Sequence, residues 1–578
     1  MPKPSSRAGA ALTAAPRYRF YVVVAVLILL TCVVAGRITY LKLIDAAFLG
    51  DQGDRRSVRH IPIPVTRGMI TDRNGAPLAV STEVVTIWCN PAEMQDSADQ
   101  LGRLAQAIHK PEAELRNLIL GHPEKHFLYL ARALSPIDGE NIMALGVPGV
   151  RQIKEYKRYY PSSDLVAQVI GMVNIDGHGQ EGLELGFEDW LAGKGGVREV
   201  LINPRGSVVK NIRVVRQPQP SKDVALSIDL RLQFIAYRAL QTAVEKFGAQ
   251  SGSAVLVNPK TGQILAMTNF PSYNPNNRAT LQIPNMRNRT LTDAFEPGSV
   301  IKPFSMSVAL ASGKFNENST VDVAPGWMTI DGHTIHDVAK RGVLTMTGVL
   351  LNSSNIGMSK VALQIGPLPI YEQLSRVGFG NPLALGFPGE NAGYLPGHTK
   401  WSQIATASMS FGYSLAVNVA ELAQAYSVIA NDGQLTPLTL LKDQKQQSVQ
   451  AMDPTIARRI RMMLNHVVED DGGVIRARVP GYHVAGKSGT ARKAGSGSYT
   501  EHAYRSMFVG MAPAADPKLV LAVMLDTPTK EGYFGGLVSA PTFSEIMSGA
   551  LRALAVPPDN LPDTNTAQQA KSEPHPHG

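Results

Sequence analysis

The sequence predicts an α+β protein of several domains that follow a single membrane-spanning helix near the N-terminus. Three observations support this fold class: one long apolar stretch, a first half in which short strands alternate with helical segments, and a second half that opens with a strand hairpin followed by helices. A chain of 578 residues with 44% hydrophobic content can form several packed domains. The predicted segments are, in order, a cytoplasmic tail, a membrane anchor, a membrane-proximal domain, a larger second domain and a disordered tail: 1–19, 20–40, 41–220, 221–556 and 557–578.

The apolar stretch at residues 20–36 contains no charged residue, and with residues 38–41 it reaches the length that spans a bilayer. A cleaved signal peptide has a shorter apolar core, although Val34-Ala35-Gly36 resembles the small-residue exit of such a peptide. The length therefore favours an uncleaved anchor. Basic residues precede the stretch and the first acidic residue is Asp45, so we expect a cytoplasmic N-terminus and the remainder on the far side of the membrane.

Composition argues against several classes of protein. The net charge of +9 could attract nucleic acid, anionic lipid or an acidic cell-wall polymer, and charge alone does not decide between them. Because the charge is scattered without a long basic run, we expect no nucleic acid partner. The two cysteines, Cys32 and Cys89, exclude a cysteine-rich zinc site, and Cys32 lies in the membrane stretch, where it cannot pair with Cys89. The sequence has neither a His-Glu-x-x-His nor a Walker motif, so we expect no metal and no cofactor.

The membrane-proximal domain carries no obvious chemistry. Residues 72–75 form a predicted turn that ends in Asn-Gly, residues 77–88 are β-prone on its far side, and residues 96–146 are predicted to be helical. The carboxylates Glu181 and Glu184, like Asp72 beside its arginine, could form a catalytic pair. Charged residues beside glycine turns more often make ion pairs and turn hydrogen bonds, so we interpret the domain as a scaffold that lifts a catalytic domain off the membrane.

The larger domain begins with a predicted amphipathic helix at residues 230–247. A strand at 253–257, a Pro-Lys-Thr-Gly turn and a second strand at 263–267 predict an antiparallel hairpin of the main sheet. A further helix is predicted at 300–310, directly after a Pro-Gly pair.

Ser299 and Lys302 lie at the start of that last helix, three residues apart and on one face. A serine hydroxyl becomes a nucleophile when a neighbouring base takes its proton, and a lysine whose pKa is lowered can be that base. The same spacing occurs at Ser207 and Lys210, with no Pro-Gly before it and no helical run behind it. The pair at 299 and 302 therefore needs further motifs to support it.

Two further motifs follow the pair at 299 and 302 along the chain. Ser353 and Asn355 bracket one residue, and a hydroxyl with a carboxamide can relay a proton and hold a substrate amide. The second motif is Lys487-Ser488-Gly489-Thr490 on a predicted edge strand. Its lysine supplies positive charge, Ser488 suits a terminal carboxylate, Gly489 gives a substrate backbone close approach, and the Thr490 and Ser299 amides could form an oxyanion hole. Similar triplets at 260–262 and 272–274 occur in the reverse order.

These motifs, with Phe295-Glu296-Pro297-Gly298 before the first, resemble the transpeptidase domain of penicillin-binding proteins. Three segments of the first domain resemble the membrane-proximal domain of the class B group: 67–75, 158–161 and 181–182. Three segments of the second domain resemble the division-specific member of Gram-negative bacteria, often called penicillin-binding protein 3: 273–277, 286–289 and 533–536. The third motif reads Lys-Ser-Gly where many members have Lys-Thr-Gly, and the hydroxyl is kept.

The resemblance implies a D,D-transpeptidase in which Ser299 attacks the bond between the terminal D-alanines of a peptidoglycan stem peptide. Lys302 would act as base, Ser353 and Lys487 would return the proton to the leaving group, and Asn355 would orient the substrate. Which group is the general base stays open in the sequence. The acyl group would pass to an amine of a neighbouring stem peptide, and β-lactams would acylate Ser299.

The resemblance also implies an elongated α+β pedestal, an antiparallel sheet flanked by helices and an all-helical subdomain. It implies a place in the inner membrane at the division septum, with the catalytic domain in the periplasm and with a membrane glycosyltransferase and other division proteins as partners. The alternatives are an elongation or condition-specific paralogue, a D,D-carboxypeptidase, and a catalytically silent scaffold or β-lactam sensor.

Overall fold

The computed structural model describes residues 17–45, 57–94, 98–203, 208–471, 473–494 and 499–560. The chain packs as two compact units. The first unit comprises Met1–Val65 and Lys194–Pro220, and the second comprises Thr66–Gly193 and Ser221–Gly578. Most of the two predicted tails lies outside the described residues, namely 1–16 of the tail predicted at 1–19 and 561–578 of the tail predicted at 557–578. Ser207 of the second Ser-x-x-Lys motif also lies outside them.

Strands and helices are numbered here in chain order. The strands are β1 (Val58–Ile63), β2 (Ile70–Thr71), β3 (Pro77–Cys89), β4 (Leu128–Leu134), β5 (Val150–Tyr159), β6 (Gly196–Ile202), β7 (Val208–Arg216), β8 (Val224–Ala225), β9 (Ser251–Val257), β10 (Ile264–Phe270), β11 (Thr320–Asp322), β12 (Trp327–Ile330), β13 (His333–His336), β14 (Val343–Thr345), β15 (Gln434–Leu435), β16 (Val449–Gln450), β17 (Ala485–Ala494), β18 (Tyr499–Ala512) and β19 (Leu519–Asp526). The helices are α1 (Arg17–Leu43), α2 (Leu101–Ala107), α3 (Glu112–Leu120), α4 (Pro136–Ala144), α5 (Ala167–Ile170), α6 (Gly182–Gly186), α7 (Glu188–Leu191), α8 (Leu230–Phe247), α9 (Ile283–Met286), α10 (Arg289–Thr292), α11 (Lys302–Ala311), α12 (Met346–Leu351), α13 (Asn355–Ile365), α14 (Pro367–Arg376), α15 (Gln403–Ser410), α16 (Val419–Ala430), α17 (Pro454–Glu469) and α18 (Gly535–Ala553).

The first unit contains α1 and a three-stranded sheet. Helix α1 has 27 residues and is therefore about 40 Å long, which exceeds the hydrocarbon thickness of a bilayer. Among the described residues it is the one helix that is long and apolar enough to cross a membrane. One N-terminal apolar helix of this length suggests single-pass anchoring, and its range includes the anchor predicted at 20–40. The sheet has the strand order β1-β6-β7, with both pairs antiparallel.

The second unit begins with a sheet in the order β4-β3-β2-β8, in which β5 also pairs with β3. The predicted turn at 72–75 is present: β2 and β3 pair antiparallel, and the Asp72 carboxylate accepts bonds from the Asn74 and Ala76 amides, each at 2.8 Å. The helical prediction for 96–146 is wrong at Leu128–Leu134, which forms strand β4 against β3. Leu128 and Leu130 are buried on either side of exposed Tyr129, which is the alternation of a half-buried strand.

The main sheet of the second unit is antiparallel, with the strand order β10-β9-β19-β18-β17. The predicted hairpin is confirmed, since β9 and β10 pair with Val255 opposite Met267. The predicted helix at 230–247 is also confirmed. Asp229 caps its start by accepting a bond from the Arg231 amide at 3.0 Å, and Gly248 ends it at φ +58°. Strand β17 lies at the edge of the sheet, as predicted for the strand that carries Lys487.

Helix α16 is buried along its whole length and supports the start of α11. The Tyr426 hydroxyl donates to the Val300 carbonyl at 2.8 Å, and its ring packs edge-on against Phe304 with 5.5 Å between centroids. A buried tyrosine with a satisfied hydroxyl fixes both the depth and the rotation of the segment it contacts. Residues 300–304 are therefore fixed in position by their contacts with the buried helix α16.

Candidate active site

Ser299 lies in a short 3₁₀ turn, Gly298–Ile301, directly before α11. The helix predicted at 300–310 thus begins two residues later, at Lys302. Gly298 has φ +58°, and a Cβ at this position would lie 3.3 Å from the Thr490 carbonyl oxygen of β17. A glycine is needed because the backbone is left-handed and the two segments approach closely. This contact places Ser299 beside the edge strand.

Lys302 is completely buried, and oxygen atoms of three residues surround its amine. Its Nζ lies 3.0 Å from Ser299 Oγ, 2.8 Å from Asn355 Oδ1 and 3.2 Å from Ser353 Oγ, and it also donates to the Ser353 carbonyl. Burial lowers the pKa of Lys302 well below its usual value, the charge of Lys487 lowers it further, and Asp337 raises it in part. A neutral amine beside a hydroxyl can accept the proton of that hydroxyl.

Lys487 is the second buried amine, and it shares Ser353 with the first. Its Nζ lies 3.0 Å from Ser353 Oγ and 3.1 Å from the Ser488 carbonyl oxygen. Burial lowers the pKa of Lys487 to about 7. Two ammonium groups so close together in a dry site repel each other. We therefore assign the neutral state first to Lys302, because its pKa is lowered by burial and by the neighbouring charge, and the remaining proton to Lys487.

Ser353 has φ +54°, a left-handed conformation that is uncommon for a residue with a side chain. The conformation turns its hydroxyl between the two lysines and its carbonyl toward Lys302. Strained residues of this kind persist where the surrounding contacts determine them. The spacing of the motif predicted Ser353 at the site but gave no sign of its backbone conformation.

Asp337 is part of this arrangement, and the motif search missed it. Its Oδ1 accepts bonds from the Asn355 and Ile356 amides at 2.6 and 3.0 Å, and its Oδ2 accepts from the Ser354 hydroxyl at 2.6 Å. Ser354 in turn caps α13 by accepting from the Gly357 amide at 2.9 Å. A carboxylate at a helix N-terminus is stabilised by the free amides and the helix dipole. Asp337 thereby fixes the orientation of Asn355.

The edge strand contributes Ser488, Gly489 and Thr490, and their contacts differ in part from the prediction. A Cβ on Gly489 would lie 2.9 Å from Val300 Cγ1 and 3.0 Å from the Pro297 carbonyl oxygen. A glycine is thus required here because the turn that carries Ser299 packs against it. The sequence predicted a different reason, the close approach of a substrate. The Thr490 hydroxyl accepts from the Gly535 amide at 2.9 Å, while Ser488 is half-buried.

The structure also accounts for the other charged residues that the sequence singled out. Glu184 is fully buried between Arg67 and Arg158, with N–O distances of 2.6 and 2.7 Å. In the reversed triplets, Lys260 pairs with Asp516 at 2.9 Å and the Ser272 hydroxyl donates to the Asp164 carbonyl at 2.7 Å. These side chains have structural partners, whereas those of Ser299, Lys302, Ser353, Asn355 and Lys487 converge on one another.

Two family models match the chain. The penicillin-binding protein transpeptidase domain matches residues 252–548, and the penicillin-binding protein dimerisation domain matches residues 62–226. Together they include every residue of the site described above. The chain is therefore similar to this family over most of its length.

Individual proteins are similar over nearly the whole chain. A Pseudomonas aeruginosa protein named probable peptidoglycan D,D-transpeptidase PbpC is 73% identical over 548 residues, which cover 95% of this chain and 97% of that protein. Peptidoglycan D,D-transpeptidase FtsI of Escherichia coli is 40% identical over 550 residues, which cover 94% and 93%. The crystal structure of penicillin-binding protein 3 of Mycobacterium tuberculosis, complexed with aztreonam, has a TM-score of 0.68 at 27% identity and covers 86% of this chain and 98% of that one.

Proposed function

The chain belongs to the penicillin-binding proteins with a dimerisation and a transpeptidase domain, and from this premise we propose that it is a serine D,D-transpeptidase that crosslinks peptidoglycan stem peptides. The predicted family and fold class are confirmed by these matches. The single observation that supports the chemistry is the buried Lys302 amine, 3.0 Å from the Ser299 hydroxyl.

In the first half of the reaction, Ser299 Oγ attacks the carbonyl carbon between the two terminal D-alanines while its proton passes to neutral Lys302. The C–N bond then breaks, and D-alanine leaves with a proton delivered through Ser353 from Lys487, whose amine lies 3.0 Å from the Ser353 hydroxyl. The product is an ester between the stem peptide and Ser299. Two buried amines that share one hydroxyl allow this proton to move without bulk water.

In the second half, an amine of a neighbouring stem peptide attacks the ester carbonyl. The amine loses a proton to the lysine pair, a new amide bond forms, and Ser299 Oγ leaves and regains its proton. Before D-alanine leaves, Ser488 holds its terminal carboxylate and Asn355 orients the donor amide. In both halves the amides of Ser299 and Thr490 stabilise the oxyanion. The roles of these residues belong to the proposal, as does that of Gly489, which lets the substrate backbone approach the edge strand closely.

Labelling with a fluorescent penicillin tests the nucleophile. A β-lactam resembles the D-alanyl-D-alanine end, so we expect the wild-type chain to form a covalent adduct and Ser299→Ala to form none. Ser272→Ala, in the reversed triplet, is the matched control and is expected to label like the wild type. An adduct that persists in Ser299→Ala would refute the assignment of Ser299.

We propose further that the N-terminus is cytoplasmic, that the catalytic domain lies in the periplasm, and that a membrane glycosyltransferase and other division proteins are the partners. The predicted single-pass anchor is supported by α1, and a division role is supported by relatives named FtsI. A cysteine introduced in the first sixteen residues should then resist a membrane-impermeant maleimide in intact spheroplasts, whereas one at exposed Lys518 should react. The reverse pattern would contradict this orientation.

A condition-specific paralogue is the second candidate, because identity is 73% to the relative named PbpC and 40% to that named FtsI. Depletion followed by microscopy separates the two roles. Filaments that form under standard growth conditions would support the main division enzyme. Normal division under those conditions, with a defect only under stress, would support the paralogue, and rounded cells would point to elongation.

A further inference from the structure

A cavity of about 300 Å³ lies in the second unit, and none of its lining residues belongs to the candidate active site. Its walls come from strand β5, the loop at 173–177 and the segment at 275–278. From the charges and contacts of this cavity, called here the β5 cavity, we propose that it binds a short acidic peptide through its carboxylate groups.

The wall of the β5 cavity carries a surplus of positive charge. Its charged side chains are Arg132, Lys157, Arg158, Arg278 and Glu155. Arg132 pairs both with Glu155, at 3.3 Å between Nη2 and Oε1, and with Asp176, at 3.2 Å between Nη1 and Oδ1. Among the described residues, Lys157 and Arg278 have no carboxylate partner, and the Arg278 guanidinium donates only to the Val173 carbonyl. Two cations on one concave wall attract an anion more strongly than isolated surface cations do.

Arg158 gives the cavity a buried donor that is not satisfied. The side chain is 2% exposed, its Nε lies 2.7 Å from Glu184 and its Nη1 lies 3.3 Å from the Ser81 hydroxyl. Its Nη2 has no hydrogen-bond partner among the residues that the structure describes. Glu184 is shared with Arg67 at 2.6 Å, and Arg67 also pairs with Glu188 at 2.7 Å. A buried donor without a partner is unfavourable, and a ligand oxygen would relieve it.

The size and the remaining walls indicate a peptide segment as the ligand. The cavity also presents the Asn174 amide and the apolar side chains of Val84 and Ile175, which suit the backbone and the small side chains of a peptide. A folded protein partner needs roughly 800 Å² of surface on each side, far more than this cavity offers. The acidic peptide we favour is an uncrosslinked stem peptide of the cell wall, and this choice of source rests on the proposed function.

Isothermal titration of the full chain in detergent at low ionic strength tests the proposal. The probe is acetyl-Ala-Glu-Glu, and acetyl-Ala-Gln-Gln-amide is its neutral counterpart. We expect the neutral peptide to bind at least tenfold more weakly, and Arg278→Ala and Lys157→Ala each to weaken the acidic probe about tenfold. Arg238→Ala, on the exposed face of α8, is the matched control and should leave the affinity unchanged.

Glu155→Gln should change the affinity for the acidic probe in the opposite direction, an increase that a folding defect would not produce. Removing the one acidic side chain of the wall should tighten binding of the acidic probe several-fold. Equal binding of the two peptides, or an affinity that Arg278→Ala and Glu155→Gln leave unchanged, would overturn the proposal. A purified stem peptide that fails to displace the probe would overturn the cell-wall source.

Fluorescent-penicillin labelling of the same variants separates this proposal from the proposed function. Each variant should label like the wild type, because none of the substituted residues touches Ser299. Loss of labelling in the wild-type chain with intact peptide binding would refute only the transpeptidase assignment. Intact labelling without any peptide binding would refute only the β5 cavity as a site.

Discussion

Lys302 shows how one residue acquires a reactive state from its surroundings. Its amine is fully buried, and the pKa is lowered by that burial and by Lys487. Lys302→Arg keeps a charge that cannot be lost, so we expect acylation by a β-lactam to slow at least about a hundredfold. The rate is measured with a fluorescent penicillin. Lys260→Arg, in the reversed triplet, should change nothing, and a comparable rate in Lys302→Arg would contradict the role as base.

The pKa of Lys487, lowered by burial to about 7, predicts a pH dependence. Below this value the amine is charged and can hold a substrate carboxylate or supply a proton; above it the charge is lost. We therefore expect the acylation rate to fall as pH rises through about 7, and Lys487→Arg, which stays charged, to lose this fall at a lower absolute rate. A wild-type rate that is flat between pH 6 and 9 would contradict the assignment.

The convergence of five side chains could be predicted from the sequence because three short motifs occur in a fixed order. Asp337 could not. It lies in an irregular segment 17 residues before Ser354, and its role comes from a hydrogen bond that crosses this distance in space. The left-handed backbone of Ser353 was equally hidden, because no residue type at that position signals it.

At the scale of elements, the start of α13 depends on Asp337. Its carboxylate accepts from two amides and one hydroxyl of residues 354–356. We expect Asp337→Ala to lower stability by about 1–2 kcal/mol and acylation about tenfold, because Asn355 loses its fixed orientation. Asp337→Asn should lose less stability and less acylation activity than Asp337→Ala. Thermal unfolding and penicillin labelling measure the two effects, and an unchanged acylation rate in Asp337→Ala would show that α13 holds Asn355 unaided.

Helix α16 begins with a capping box in which Asn418 and Glu421 bond to each other's backbone amides. Burial raises the pKa of Glu421 to about 8, and its Oε1 has no partner among the described residues. Because the folded chain holds this proton above the unfolded pKa, stability should fall as pH rises from about 4.5 to about 8.

Glu421→Gln tests this assignment, since it keeps the acceptor oxygen without a charge. We expect the variant to be more stable than the wild type at pH 9 by about 2 kcal/mol, and nearly equal to it at pH 5. Thermal unfolding at the two pH values measures the difference. Glu372→Gln, on the exposed surface of α14, is the control, and a variant that is less stable at pH 9 would contradict the assignment.

Elements whose hydrophobic residues recur with a regular period could be predicted from the sequence. Elements that form because they pair with residues far away in the chain could not. Helix α8 was placed to the residue because its amphipathic pattern is bounded by Asp229 and Gly248. Strand β4 was missed because its seven residues lie among helical segments, and its pairing with β3 bridges about forty residues of chain. Gly489 of β17 was predicted as a position where a substrate backbone approaches closely, but the contacts that demand a glycine there come from Val300 and the Pro297 carbonyl.

At the scale of the whole molecule, the candidate active site and the anchor belong to different compact units. A chain that begins at residue 57 should therefore be acylated by penicillin within about threefold of the full chain, while it disappears from the membrane fraction. Fractionation combined with fluorescent labelling measures both. A truncated chain that stays with the membrane would show a second attachment, and one that cannot be labelled would show that the site needs the anchor.

Which parts of the chain pack together in each compact unit could not be predicted from the sequence. Residues 66–193 share a unit with the main sheet, in part because β2 pairs in parallel with β8, with Ile70 opposite Val224. Such a pairing joins two-residue strands that are far apart in the chain and have no pattern of their own. The predicted boundary between 220 and 221 stays a prediction about where scaffold and chemistry divide.

The fit of Gly489 against Val300 and Pro297 constrains how this protein can evolve under antibiotic selection. A bulkier residue there would push the turn that carries Ser299 away from Lys302 and, on the proposed mechanism, would disable the bacterium's own crosslinking. Heritable resistance should consequently arise at positions that touch the drug without supporting the turn. Gly489 itself should therefore rarely be substituted under such selection.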